Sequence, residues 1–187
     1  MITTADFKTG MCIMHNNDIW QIQDFQHVKM QQRRPIVRTR LKNLSNGRVL
    51  EVTFSAGDKV EDVRVERRTF QYLYKDDSGY TFMNQDTYDQ ITVNENMISS
   101  PDLLKEGQEA DILFEAEAER PLLVELPSFV ILEVTYAEPG VRGDTANNVT
   151  KVAKVETGAE VAVPLFVNIG EKIKVDTRTH AYVERVK

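Results

Sequence analysis

A single cysteine, Cys12, occurs in the 187-residue chain. It excludes an intrachain disulfide and a zinc site built from cysteines alone. Glycine and proline are sparse, at 9 and 6 residues, which rules out collagen-like and low-complexity chains. Long apolar runs are missing too. The longest, Val161 to Val167, has Pro164 inside it, whereas a membrane helix needs about 20 residues. Residues Met1 to Lys8 lack the basic-then-apolar order of a signal peptide. The expectation is a cytoplasmic protein with no membrane partner. Hydrophobic residues, at 41%, still suffice for a folded core.

Catalytic patterns are equally scarce. His15, His27 and His180 lie far apart, and no Cys/His spacing suits a metal. No glycine-rich loop precedes a helix. Ser128 and Thr150 have no neighbouring histidine or elbow motif. Glu115, Glu117 and Glu119 alternate and read as an exposed polar face. Cys12, between Met11 and Ile13, reads as a small buried hydrophobe. The chain is therefore expected to work without catalysis, metal or cofactor.

What the sequence does have is charge in blocks. Residues 1–64 carry 10 Lys/Arg against 7 Asp/Glu, a net +3. Residues 65–128 carry 5 against 14, a net −9, and residues 129–187 balance at 8 and 8. Lys29, Arg33, Arg34, Arg38, Arg40, Lys42 and Arg48 follow one another with no acidic residue between them. Such a run suits a polyanion, nucleic acid above all, or else a solvated strand face.

Short strands recur throughout. Met11–His15, Ile19–Val28, Ile36–Leu41 and Val49–Phe54 alternate or carry β-formers. Asn46-Gly47 between the last two is a hairpin signal. Between Val28 and Ile36 the apolar period vanishes, so residues 29–35 read as an exposed hairpin tip. Phe70, Tyr72, Tyr74, Tyr80 and Phe82 read as core, or alternatively as a stacking platform for single-stranded bases. Pro101–Lys105 reads as one or two helical turns with Ser99 or Ser100 at the N-cap. Ala110–Phe114, Leu122–Leu126, Phe129–Tyr136, Val149–Val155, Val161–Val167, Lys172–Val175 and Ala181–Val186 complete the strands. The fold class is all-β. Three consecutive small β-barrels, at 1–64, 65–128 and 129–187, fit the charge blocks. Units this small are expected to lean on one another.

The chain resembles the bacterial elongation factor P family over essentially its whole length. The residues that carry the likeness are Thr4 to Gly10, His27-Val28-Lys29, Arg38 to Leu44, Phe82-Met83-Asn84, Gly143-Asp144-Thr145, Lys151-Val152-Ala153, Thr157-Gly158-Ala159, Val163 to Phe166, and Gly170 through Ile173 to Arg178. The resemblance implies an SH3-like barrel followed by two oligonucleotide-binding (OB)-type barrels in an L shape. It implies a monomer that binds the ribosome between the peptidyl and exit sites, touching ribosomal RNA of both subunits and the peptidyl-site tRNA. It further implies help for peptide-bond formation on stalled ribosomes, typically at consecutive prolines. The alternative is a divergent paralogue with a specialised ribosome- or RNA-binding regulatory role.

By the same resemblance, the tip Lys29, Met30, Gln31, Gln32, Arg33, Arg34 and Pro35 would approach the tRNA acceptor end. Gly143, Asp144 and Thr145 would approach the mRNA codon in the exit site. Tyr182 and Arg185 would lie near the small-subunit end of the tRNA, although Tyr182 also suits the core of the last barrel. One departure stands out. The family tip commonly reads Lys-Pro-Gly-Lys-Gly, with a modified second lysine. Here Gln32 holds that place, and its amide cannot accept a lysine-directed modification. Arg33, one residue further, is the substitute if the tip is modified at all.

Overall fold

The computed structural model describes residues 1–29, 31, 33–139 and 149–187. Among them the only helical pieces are three single 3-10 turns, and strands form the rest of the regular structure. In chain order the first strands are β1 (Ile2–Thr3), β2 (Cys12–His15), β3 (Asp18–Val28), β4 (Ile36–Asn43), β5 (Val49–Ser55), β6 (Lys59–Val60) and β7 (Asp62–Val63). They make a sheet of order β5-β4-β3-β2-β7, with β1 paired to β6. Next come β8 (Val65–Asp76), β9 (Gly79–Asn84), β10 (Gln90–Val93), β11 (Glu109–Glu115) and β12 (Arg120–Glu125), ordered β10-β9-β8-β11-β12. Last are β13 (Phe129–Ala137), β14 (Thr150–Val155), β15 (Glu160–Pro164), β16 (Lys172–Asp176) and β17 (Tyr182–Val186), ordered β15-β14-β13-β16-β17. The three curled sheets match the expected all-β class.

The described chain divides into two compact units, residues 1–68 with 112–123 and residues 69–111 with 124–187. In the first unit, Phe7, Ile13, Trp20, Ile22, Val37 and Leu41 form one core, with the rings of Phe25 and Phe54 edge-on to Phe7. A second cluster joins Cys12, Ile19 and Leu44 to Leu113 and Leu122 of the β11–β12 hairpin. The hairpin thus shares apolar burial with the first sheet. In the second unit, Ser100 Oγ donates to the Thr177 carbonyl at 2.6 Å, and Lys105 pairs with Glu156 at 3.0 Å.

The sequence reading needs adjusting at four places. Phe70, Tyr72, Tyr80 and Phe82 are buried core, but Tyr74 is 44% exposed. A bulge between Tyr72 and Tyr74 takes Tyr74 off the buried face. The Pro101–Lys105 segment is one 3-10 turn, Pro101–Leu103. Ser100 holds its N-cap position without capping it, and its hydroxyl donates instead to the Thr177 carbonyl. The apolar run Val161–Val167 is a strand only to Pro164, whose ring removes a ladder donor. The Val167 amide then closes a turn onto the Pro164 carbonyl. Strand β10, Gln90–Val93, was not expected, since it is short and only its Val93 is buried.

Candidate functional site

The β3–β4 hairpin is the longest antiparallel pair of the first sheet, running from Trp20 opposite Asn43 to Val28 opposite Ile36. On β4 the alternation is strict: Val37, Thr39, Leu41 and Asn43 are buried, and Arg38 and Arg40 are exposed. A period of two therefore sends the arginines to one face and the core residues to the other. Between Val28 and Ile36 none of the described residues is buried. Lys29, Gln31, Arg33, Arg34 and Pro35 are all exposed, as expected for a tip. Met30 and Gln32 lie outside the described residues. Pro35 immediately precedes the return strand, where a missing N–H costs no ladder bond, and its carbonyl accepts from the Ala56 amide at 2.8 Å. The foot of the tip is thus tied while its cations stay free.

Among the described residues, Lys29, Arg33, Arg34, Arg38, Arg40, Lys42 and Arg48 form no ion pair and no side-chain hydrogen bond. Arginine presents five donors in a planar fork that matches phosphate, so an exposed run of this kind can bind an RNA backbone. Sequence alone could not show that two acids stand beside the run. Asp24 on β3 and Glu51 on β5 are the cross-strand neighbours of Arg40. In a regular strand Ile22 and Asp24 would share a face. A bulge between them adds Gln23 and turns Asp24 outward.

The C-terminal candidates are placed differently. Tyr182 opens β17 opposite Val175 and is half-buried, neither a full core residue nor a free ring. Arg185 is exposed, yet its guanidinium pairs with Glu171 at 2.9 Å and lies 5.4 Å from the centre of the Phe166 ring. The Asn168 amide, and then the Arg185 guanidinium, hold the Glu171 carboxyl below the usual carboxylate range. Gly143, Asp144 and Thr145 lie outside the described residues. Phe166 and Ile169, both more than half exposed, line a groove with Pro139, Lys151 and Leu165 that the sequence reading missed. Pro164 was the available signal, since it ends the strand and releases these side chains from the sheet.

Cys12, Glu115 and Glu119 are engaged within the fold. Burial pushes the Cys12 thiol up to about 11, so it stays protonated at neutral pH, consistent with its role as a small hydrophobe. Glu115 pairs with Arg120 at 2.7 Å, and Glu119 accepts both guanidinium nitrogens of Arg68 at 2.7 and 2.9 Å. No three His, Cys, Asp or Glu side chains converge among the described residues.

Comparison with known proteins fits this geometry. The family models "Elongation factor P KOW-like domain", "Elongation factor P OB domain" and "Elongation factor P, C-terminal" match residues 3–60, 65–122 and 130–185. "Elongation factor P" of Flavobacterium johnsoniae is 52% identical, with each chain covered completely. That of Amoebophilus asiaticus is 51% identical over all of this chain and 98% of its own length. "Elongation factor P 1" of Porphyromonas gingivalis is 50% identical over the full length of both. Among solved structures, a translation initiation factor eIF-5A family protein from Naegleria fowleri aligns with a TM-score of 0.53 at 10% identity. It covers 67% of this chain and 96% of its own, a likeness of fold. The chain belongs to the elongation factor P family and is a translation elongation factor.

Proposed function

We propose that the protein binds the ribosome between the peptidyl and exit sites and promotes peptide-bond formation when translation stalls, typically at consecutive prolines. The observation that carries this reading is the tip: an exposed, unpaired cationic segment at the end of the β3–β4 hairpin, in a chain of the elongation factor P family. In this reading Arg33 and Arg34 bind phosphates near the acceptor end of the peptidyl-site tRNA, and Gln31 adds neutral donors. Gly143, Asp144 and Thr145 face the exit-site codon. Tyr182 and Arg185 face the small-subunit end of the tRNA, with Arg185 leaving Glu171 to engage RNA. The protein acts as a cytoplasmic monomer, by positioning rather than by turnover, and needs no metal or cofactor.

Ribosome profiling after deletion of the gene tests this reading. It predicts new pauses at proline runs that the restored wild-type gene removes. One observation favours a second reading. Gln32 stands where the family carries its modified lysine, so a specialised paralogue would relieve other stalls. Pauses elsewhere, or none, would select that reading. The intact mass of protein from the native host reports whether Arg33 carries a modification.

A further inference from the structure

The two exposed arginines of β4 differ in their neighbours. Arg40 stands between Asp24 and Glu51, both exposed. Arg38, one row nearer the tip, stands between Gln26 and Thr53, exposed and uncharged. Side chains directly opposite on adjacent strands lie close enough to interact, so the acids on either side reduce the field that Arg40 presents to an anion. The Gln26–Arg38–Thr53 row offers an amide, a guanidinium and a hydroxyl with no carboxylate among them. That set can donate to phosphate oxygens, and its amide and hydroxyl can also pair with the ribose 2′-hydroxyl of RNA.

We propose that Arg38 is a further RNA-contacting residue, extending the tip's phosphate-binding track one row along the outer face of β4. Arg40, flanked by the carboxylates of Asp24 and Glu51 on the adjacent strands, marks where the track ends. The proposal rests on the reading that the tip meets RNA on the ribosome. It divides a basic run that looks uniform in sequence into a working part, Arg33, Arg34 and Arg38, and a compensated part at Arg40. The bulge at Gln23 sets that boundary, because it turns Asp24 onto the outer face.

The test is equilibrium binding of the full chain to purified ribosomes carrying peptidyl-site tRNA, measured over a series of salt concentrations. Each phosphate contact contributes roughly 0.7 to the log–log salt slope for single-strand-like RNA. Arg38→Ala and Arg38→Gln should each reduce the slope by about 0.7, and Arg38→Lys should restore it. Arg40→Ala should change it by less than half as much. Glu51→Gln should steepen the slope, and adding Arg40→Ala should remove that gain. Thermal unfolding of each variant should match the wild type. If Arg38→Ala leaves the slope unchanged while the Arg33→Ala/Arg34→Ala pair lowers it, the tip reading stands and this proposal falls. Equal losses from Arg38→Ala and Arg40→Ala also overturn it. A wild-type slope near zero, unaltered by the tip pair, overturns both.

Discussion

In the middle block, residues 65–128, Arg68, Lys75, Lys105 and Arg120 each have a carboxylate within ion-pair distance, between 2.7 and 3.4 Å. In the first block, residues 1–64, the only lysine or arginine side chain that has one among the described residues is that of its last residue, Arg64, and the partner, Glu66, belongs to the middle block. The net charges of the two blocks, −9 and +3, already differ in sign, but the pairing shows what the difference means. Cations set among excess acids become part of the structure. Arg68, for example, grips Glu119 with two nitrogens, reaches Glu66 at 2.9 Å and lies 4.7 Å from the Phe114 ring centre. The described cations of the β3–β4 hairpin form no ion pair, and on the proposed reading Arg33, Arg34 and Arg38 are the ones that meet an external anion. Stability and function therefore use the same residue types in different regions.

Removing a cation from each region sharpens that contrast. The largest stability effect is expected from Arg68→Ala, which strips Glu119 of its partner, leaves Glu66 to Arg64 alone and uncovers Phe114. A loss of about 1–2 kcal/mol in urea unfolding is expected, the partial exposure of the pair having been discounted. The same variant should leave the salt slope of ribosome binding unchanged.

Acid should erase that loss. The Glu119 carboxyl is held below the ordinary carboxylate range, first by the hydrogen bond from Arg68. The folded chain therefore binds fewer protons than the unfolded chain as pH falls through about 4. The pair's contribution is complete above the unfolded value and disappears as pH drops through the folded one. Unfolding curves of wild type and Arg68→Ala, recorded from pH 7 down to pH 3, should converge at the acid end. A constant gap would mean that Phe114 packing, rather than charge, accounts for the effect.

A smaller change is expected from Arg120→Ala. The side chain of Arg120 is 59% exposed, so its pair with Glu115 is screened and should contribute under about 1 kcal/mol. The loss should fade further in high salt, which separate melts at low and high ionic strength would reveal.

Several of these features were legible in the sequence, and the exceptions have local causes. The alternation Val37-Arg38-Thr39-Arg40-Leu41 gave the two faces of β4 directly, because a strand's period is two. The exposed tip followed from the loss of that period after Val28. The acids beside Arg40 could not be read, since cross-strand partners depend on register and a single bulge at Gln23 changes which face Asp24 occupies. Tyr74 left the core for the same kind of reason. Ser100 looked like a cap from its place before Pro101, but its partner, Thr177, is 77 residues away. The pair of Arg185 with Glu171 could not be read either, because the two residues lie 14 apart in the chain.

The most direct measurement of the contrast is ribosome affinity against salt for two double variants. Arg33→Ala/Arg34→Ala removes two unpaired tip cations, and Lys75→Ala/Arg120→Ala removes two paired ones from the middle sheet. Each tip arginine that contacts a phosphate contributes roughly 0.7 to the slope, so the first variant should lower it by about 1.4 while costing about 0.5 kcal/mol or less in stability. The second should leave the slope as it is. Equal slopes for wild type and the tip variant, or an equal fall in both variants, would contradict the claim that the unpaired cations of the hairpin tip are the residues that meet RNA.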